Sequence, residues 1–193
     1  MKSALLVLNF QSRYPSDAAR ASASDWLGNV LRAMDAAARA GAPVMLIRQV
    51  AQSGRPSDIR RKDALWGIPP EITQRNWDGL IDMCGRDIFA HPGLIAWLKK
   101  NSVEAVTLSG HLADTCSEVA VGRAPQFGYA LEVLSDAIKT SPYDGVRVDA
   151  NGGSEARSGK NVLADCLHVV TSEWVDRLAA WRRWSYLKEG VCF

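Results

Sequence analysis

The sequence has no apolar run near the ~18 residues that a membrane-spanning helix needs. Its opening, MKSALLVLNF, is unlike a signal peptide, because the short apolar stretch meets Asn9 and Gln11 with no small-residue cleavage site. A first strand is expected there instead. Cysteine is sparse: Cys84, Cys116, Cys166 and Cys192 are irregularly spaced and form no CxxC pair, so no disulfide framework is read. Reduced thiols and a cytoplasmic location are the expectation. The 3 histidines, His91, His111 and His168, make no HxH or HExxH pattern. Neither a metal nor another cofactor is therefore expected. The formal net charge is only +2. The basic clusters Arg60-Arg61-Lys62 and Arg182-Arg183 are too short to mark a nucleic-acid or membrane surface, which leaves a small molecule as the expected partner. The run from Gly152 to Lys160 fails as a phosphate loop: the Gly-x4-Gly-Lys spacing is missing, and Asn161 stands where Ser or Thr is required.

What is present is an ordinary globular composition of 193 residues, 47% hydrophobic and 23% charged, enough for a single domain spanning residues 1–193. Ala4 to Leu8 is a continuous apolar run, as a strand buried on both faces requires. Ser24 caps a helix from Asp25 whose Trp26, Leu27, Val30, Leu31 and Met34 recur at three-to-four spacing. Gly41 stops that helix, and Pro43 leads into a strand from Val44 to Ile47. Residues 50–78 form a polar connection long enough to serve as a lid or a subunit contact. A weak strand follows from Leu80 to Met83, then a helix from Pro92 carrying Leu94, Ile95, Trp97 and Leu98. A strand from Val103 to Leu108 precedes a helix from Ser117 to Arg123, with Gly128 as its stop and Ala130 to Leu134 as the next strand. Beyond an irregular stretch, residues 139–161, a last strand runs from Cys166 to Val170. Ser172 then caps a helix bearing Trp174, Val175, Leu178 and Trp181.

Strands thus alternate with helices, and the expected fold class is α/β: a three-layer αβα sandwich around a mostly parallel, Rossmann-like sheet. Such sheets bind ligands beyond the carboxyl ends of their strands. Asn9, the segment from Met83 to Arg86 and the stretch from His111 to Cys116 all fall at such ends. Cys116 in particular opens a helix directly after a strand. Unpaired backbone N–H groups and the positive helix end both favour a thiolate there, which makes Cys116 the candidate nucleophile. Position alone is equally compatible with a buried cysteine that fills space.

Three stretches together resemble the isochorismatase-like cysteine hydrolase family. They are the strand Ala4-Leu5-Leu6-Val7-Leu8-Asn9-Phe10-Gln11, the segment Met83-Cys84-Gly85-Arg86-Asp87-Ile88-Phe89, and the turn Gly110-His111-Leu112-Ala113-Asp114-Thr115-Cys116. Phe127-Gly128-Tyr129 and Val133-Leu134-Ser135-Asp136-Ala137 extend the match. In that family an aspartate is the base, a lysine supports the thiolate, and the cysteine attacks a carbonyl or nitrile carbon. The resemblance carries over only the cysteine. Asn9 stands at the aspartate position and cannot accept a proton as a carboxylate does. Met83 stands at the lysine position and is uncharged. The resemblance further implies an oxyanion hole from the N–H groups of Leu112 and Cys116, with a cis peptide bond before Leu112. The metal ligands that some members carry after the second strand have no Asp/His counterpart between Arg48 and Ser57.

Other groups stand where they could compensate. His111 titrates near neutrality and is a candidate replacement base, or else a hydrogen-bonded part of the pocket wall. Arg86 offers positive charge near the vacant lysine position, unless it simply faces solvent. Tyr14 and Trp66 fall where aromatic residues wall the family's substrate pocket, and ordinary packing explains them as well. Asp87 is expected to hold its loop and Asp114 to cap the helix start. The expected function is hydrolysis of a small-molecule amide or related C–N bond through Cys116 with an altered triad. The alternative is a hydrolysis-deficient member that binds a small molecule or partner, or that runs a different biosynthetic reaction. Vinyl-ether hydrolysis of the isochorismate type fits less well, since it uses the aspartate that is missing here. Family members commonly form dimers or tetramers, and the apolar C-terminal segment with Trp181, Trp184 and Tyr186 suggests a homodimer or homotetramer.

Overall fold

The computed structural model describes residues 1–10, 24–50, 67–85, 87–112, 120, 122–140, 146–148, 154–156 and 167–189. Its centre is β1 (Ser3–Leu8), every residue of which is buried. Flanking it are β2 (Val44–Val50), β3 (Gly79–Cys84), β4 (Ala105–Leu112) and β5 (Ala130–Thr140). Two short strands, β6 (Val146–Val148) and β7 (Ser154–Ala156), pair antiparallel with each other, and β8 (Leu167–Val169) closes the main sheet. That sheet has 6 strands in the order β3-β2-β1-β4-β5-β8, all parallel. The α-helices bounded within the described residues are α1 (Ser24–Ala40), α2 (Pro70–Thr73), α3 (Pro92–Lys100) and α4 (Thr171–Glu189).

The pleat explains the continuous apolar run of β1. Leu6 and Leu8 face one layer, with Ile47, Ile81, Met83, Val106 and Leu108, against Leu94 and Leu98 of α3 and against Ala120 and Ala124. Leu5 and Val7 face the other layer, with Val44 and Leu46, against Val30, Ala33 and Met34 of α1 and Trp174 and Leu178 of α4. The αβα sandwich expected from the sequence is therefore the fold observed. Among the described residues, no helix is long and apolar enough to cross a membrane.

Several boundaries differ from the sequence reading, and one structural feature accounts for three of them: the ends of β4 and β5 and the start of α4. Leu108 of β4 faces Val133 of β5, but Gly110 faces Ile138. One residue of β4 thus spans an excursion of β5 from Leu134 to Ala137, after which the two strands pair again. For this reason β4 continues to Leu112 and β5 to Thr140, where shorter strands were expected. The excursion also supplies the cap of the last helix. Asp136 Oδ1 accepts from both the Thr171 N–H (2.8 Å) and the Thr171 hydroxyl (2.7 Å), and its main-chain carbonyl accepts from Asn29 Nδ2 of α1 at 2.8 Å. The Trp174 N–H bonds the Val170 carbonyl, so α4 opens before Ser172 and that residue is not its cap. A carboxylate distant in sequence does the capping instead. Asp136→Ala is expected to cost about 1–2 kcal/mol by this loss, readable as a lower urea midpoint with unchanged slope.

Under α4 the polar groups account for one another. Thr107 donates its hydroxyl to Glu132 Oε2 (3.1 Å) and accepts from Trp174 Nε1 (3.0 Å), while Arg177 donates to Glu132 Oε1 at 2.8 Å. Trp174 is thereby committed to the core. Trp181 lines a cleft of about 150 Å³ beside Met1, Ser3 and Arg177, at the amino ends of the strands.

Candidate active site

The helix after β1 lies on one face of the sheet, and the helical residues after β4 lie on the other, as Ala120 and Ala124 show. The carboxyl ends of β1 and β4 therefore diverge into a crevice, the usual ligand position of a parallel sheet. Asn9 stands at its mouth. Its N–H continues the ladder to the Ile47 carbonyl at 2.8 Å, but its φ is +54°. This left-handed conformation turns the chain out of the sheet, and asparagine tolerates it better than most residues.

The Asn9 side chain then bridges the crevice, with Nδ2 donating to the His111 carbonyl at 3.0 Å. A carbonyl only accepts, so the orientation of the Asn9 amide is fixed by chemistry. Oδ1 is directed elsewhere; it is buried and has no hydrogen-bond partner among the described residues. A carboxylate with the same placement would set an anion against the His111 carbonyl. Asparagine thus satisfies one edge of the crevice where an aspartate would leave two acceptors in opposition.

Gly110 brings β4 close enough for that bridge. Its φ is +104°, and a Cβ there would lie 2.4 Å from Leu8 O and 2.8 Å from Leu8 N. Gly110→Ala is expected to destabilise by about 2–3 kcal/mol through backbone strain and overlap, measurable by denaturant unfolding. Beyond Gly110, half-buried His111 pairs in register with Lys139, and Leu112 with Thr140. Among the described residues no peptide bond is cis. The expected cis bond before Leu112 is thus corrected, and the resumed pairing with β5 carries the chain through that bond as extended strand. Cys116, Asp114, Tyr14, Trp66 and Arg86 lie outside the described residues.

Met83 is 2% exposed, on the same face as Leu8, Ile47, Ile81 and Phe89. It belongs to the apolar floor beneath the loops. Neighbouring contacts brace this end of the sheet: Gln49 Nε2 donates to the Gly85 carbonyl at 2.7 Å, and Arg48 pairs with Asp82 at 2.7 Å. Asp87 accepts from the Phe89 N–H at 2.9 Å and from Arg123 Nε at 3.0 Å. The Arg123 guanidinium also covers Phe127, 5.1 Å from its ring centre. Asp87 therefore ties the loop after β3 to Arg123, in the helical segment after β4. The sequence reading missed Gly110, Gln49 and Arg123 as supports of this end. Only Gly110 carried a local signal, as a glycine just past an apolar strand run. Among the described residues, no three His, Cys, Asp or Glu side chains group to hold a metal.

The family model described as the isochorismatase domain matches residues 3–152. The chain belongs to the isochorismatase-like hydrolase family. A search of curated proteins found no match. Among solved structures, it is similar to a candidate isochorismatase from Burkholderia xenovorans LB400, with 24% identity, coverage of 93% of this chain and 88% of that one, and a TM-score of 0.74. It is also similar to a cysteine hydrolase from Pseudomonas syringae pv. phaseolicola 1448A, with 17% identity, 93% coverage of each chain and a TM-score of 0.75. A third is N-carbamoylsarcosine amidase from Thermoplasma acidophilum, with 20% identity, coverage of 90% of this chain and 98% of that one, and a TM-score of 0.65. At these identities the structures bear on the fold.

Proposed function

We propose that this chain hydrolyses a small-molecule amide or related C–N bond through Cys116, with an altered triad. The observation carrying this reading is the Asn9–His111 bridge at the crevice between β1 and β4, five residues before Cys116. It joins the family's base position to the strand that leads into the nucleophile turn. The cysteine hydrolase and the amidase among the similar structures support the reaction class.

In this reading Cys116 Sγ attacks the carbonyl carbon while its proton passes to His111. The N–H groups of Leu112 and Cys116 stabilise the oxyanion. Collapse expels the amine, which takes the proton from His111 and leaves an acyl thioester. Water then adds its hydroxyl to the acyl carbon and returns a proton to the sulfur. Asn9 cannot perform the proton transfer, so the base role falls to His111. His111→Ala should lower ammonia release from a responsive primary carboxamide by ~10²–10⁴-fold, the usual worth of general-base assistance. Undiminished turnover in that variant would remove His111 from the mechanism.

The second reading, a member that binds without hydrolysing, is favoured by the neutral residues at positions 9 and 83. It predicts no ammonia from any carboxamide, with ligand binding intact. We also propose that the protein is a homodimer or homotetramer. Trp77 and Leu80 are exposed beside β3 at one sheet edge, and Leu167 and Val170 at β8 on the other. Sedimentation should give two or four times the 21.1 kDa chain mass; a monomer would dismiss the assembly.

A further inference from the structure

We infer that Asn9 Oδ1 is a specificity-determining acceptor, and that the ligand of this site presents a hydrogen-bond donor, such as a carboxamide N–H, to it. The inference rests on the site proposed above but not on hydrolysis taking place there. Asn9 Nδ2 is committed to the His111 carbonyl at 3.0 Å, so the amide cannot rotate and offer a donor without opposing two oxygens. Oδ1 is therefore a fixed acceptor. It is buried, and it has no hydrogen-bond partner among the described residues. A buried polar atom without a partner is costly, and such atoms in native proteins call for an occupant. The position of this one, at the carboxyl end of β1 beside β4, is where a parallel sheet takes its ligand. Glutamine-like flexibility is absent too: the short side chain, the left-handed backbone at +54° and the bridge to β4 together hold the acceptor in place.

A pre-oriented acceptor discriminates by what it rejects. A primary carboxamide can donate to it. A methyl ketone of the same shape leaves it unpaired, and a carboxylate sets a negative charge against it. In a hydrolase this favours the amide substrate over its acid product.

The test measures binding of matched pairs by ligand-observed NMR: propionamide and butanone, isobutyramide and 3-methylbutan-2-one, benzamide and acetophenone. At least one amide should bind about tenfold more tightly than its ketone, the worth of one buried hydrogen bond otherwise left unmade. Asn9→Gly accommodates the positive φ and removes the acceptor, so the preference should vanish. Asn9→Asp offers an acceptor but loses the bridge to His111 that orients it, so the preference should be reduced. Thermal unfolding of each variant confirms that the fold is kept. The inference is overturned if no pair shows the preference, as when water or the protein's own thiol fills the role, or if the preference survives in Asn9→Gly. Ammonia release, read separately, keeps the two ideas apart. Amide preference without turnover defeats only the hydrolase reading, and turnover without the preference defeats only this one.

Discussion

Met83→Lys should lower stability by about 4 kcal/mol, and Asn9→Asp introduced beside it should recover part of that loss. Met83 is 2% exposed among Leu8, Ile47, Ile81 and Phe89, so an ammonium at its end would be desolvated with no carboxylate to meet it. The reverse single change, Asn9→Asp, sets an anion against the His111 carbonyl and is also expected to destabilise. Positions 9 and 83 lie two strands apart, about 10 Å from main chain to main chain, within reach of a lysine and an aspartate extended toward each other. The two neutral residues therefore form a self-consistent pair, because removing only one charge of a buried pair is the costly change. A double-mutant cycle by urea unfolding should give a favourable coupling of about 1–3 kcal/mol. The Met83→Lys penalty should also depend on pH. The buried ammonium has a depressed folded-state pKa, so the unfolded chain binds more protons, and stability should rise with pH between roughly 6 and 10. A neutral Met83→Lys with zero coupling would show that these positions do not share a site.

Cys116→Ala should reduce ammonia release from a responsive carboxamide by at least ~10³-fold, because in the proposed mechanism the sulfur makes the first bond to the substrate carbon. Binding of the same carboxamide should persist, since the acceptor at Asn9 and the crevice remain. A binding-only protein predicts a different outcome: no turnover before or after the change, and equal affinity. Residual turnover within tenfold of the parent would assign the activity to another nucleophile or to direct attack by water.

The sequence made the layers legible because β1, β2 and β4 are short apolar runs in a chain whose helices carry clear stripes. Leu5 and Leu6 point to opposite layers, and both are fully buried. What the sequence could not show was the local excursion of β5. Pairing of Gly110 with Ile138 rather than a nearer residue is a register choice, and it depends on Asp136 finding Thr171 and Asn29. Those partners are far away in the chain. The same excursion lengthened β4 and moved the cap of α4 off Ser172. At the carboxyl ends of the strands, the family motifs singled out Asn9, Met83 and His111, but they represented Asn9 only as a lost base. Its bridge to His111 and its orphaned oxygen arise from a left-handed backbone that no spacing reveals. The positions of Cys116, Tyr14, Trp66 and Arg86 rest on the motifs alone.

The most direct test of the central claim is the pH dependence of Cys116 alkylation by iodoacetamide, with peptide mapping to separate it from Cys84, Cys166 and Cys192. An activated nucleophile should titrate well below the ~8.5 of an ordinary thiol, and His111→Ala should shift it back toward that value. A Cys116 thiol that titrates near ~8.5 in the parent, unmoved by His111→Ala, would contradict covalent catalysis at this site.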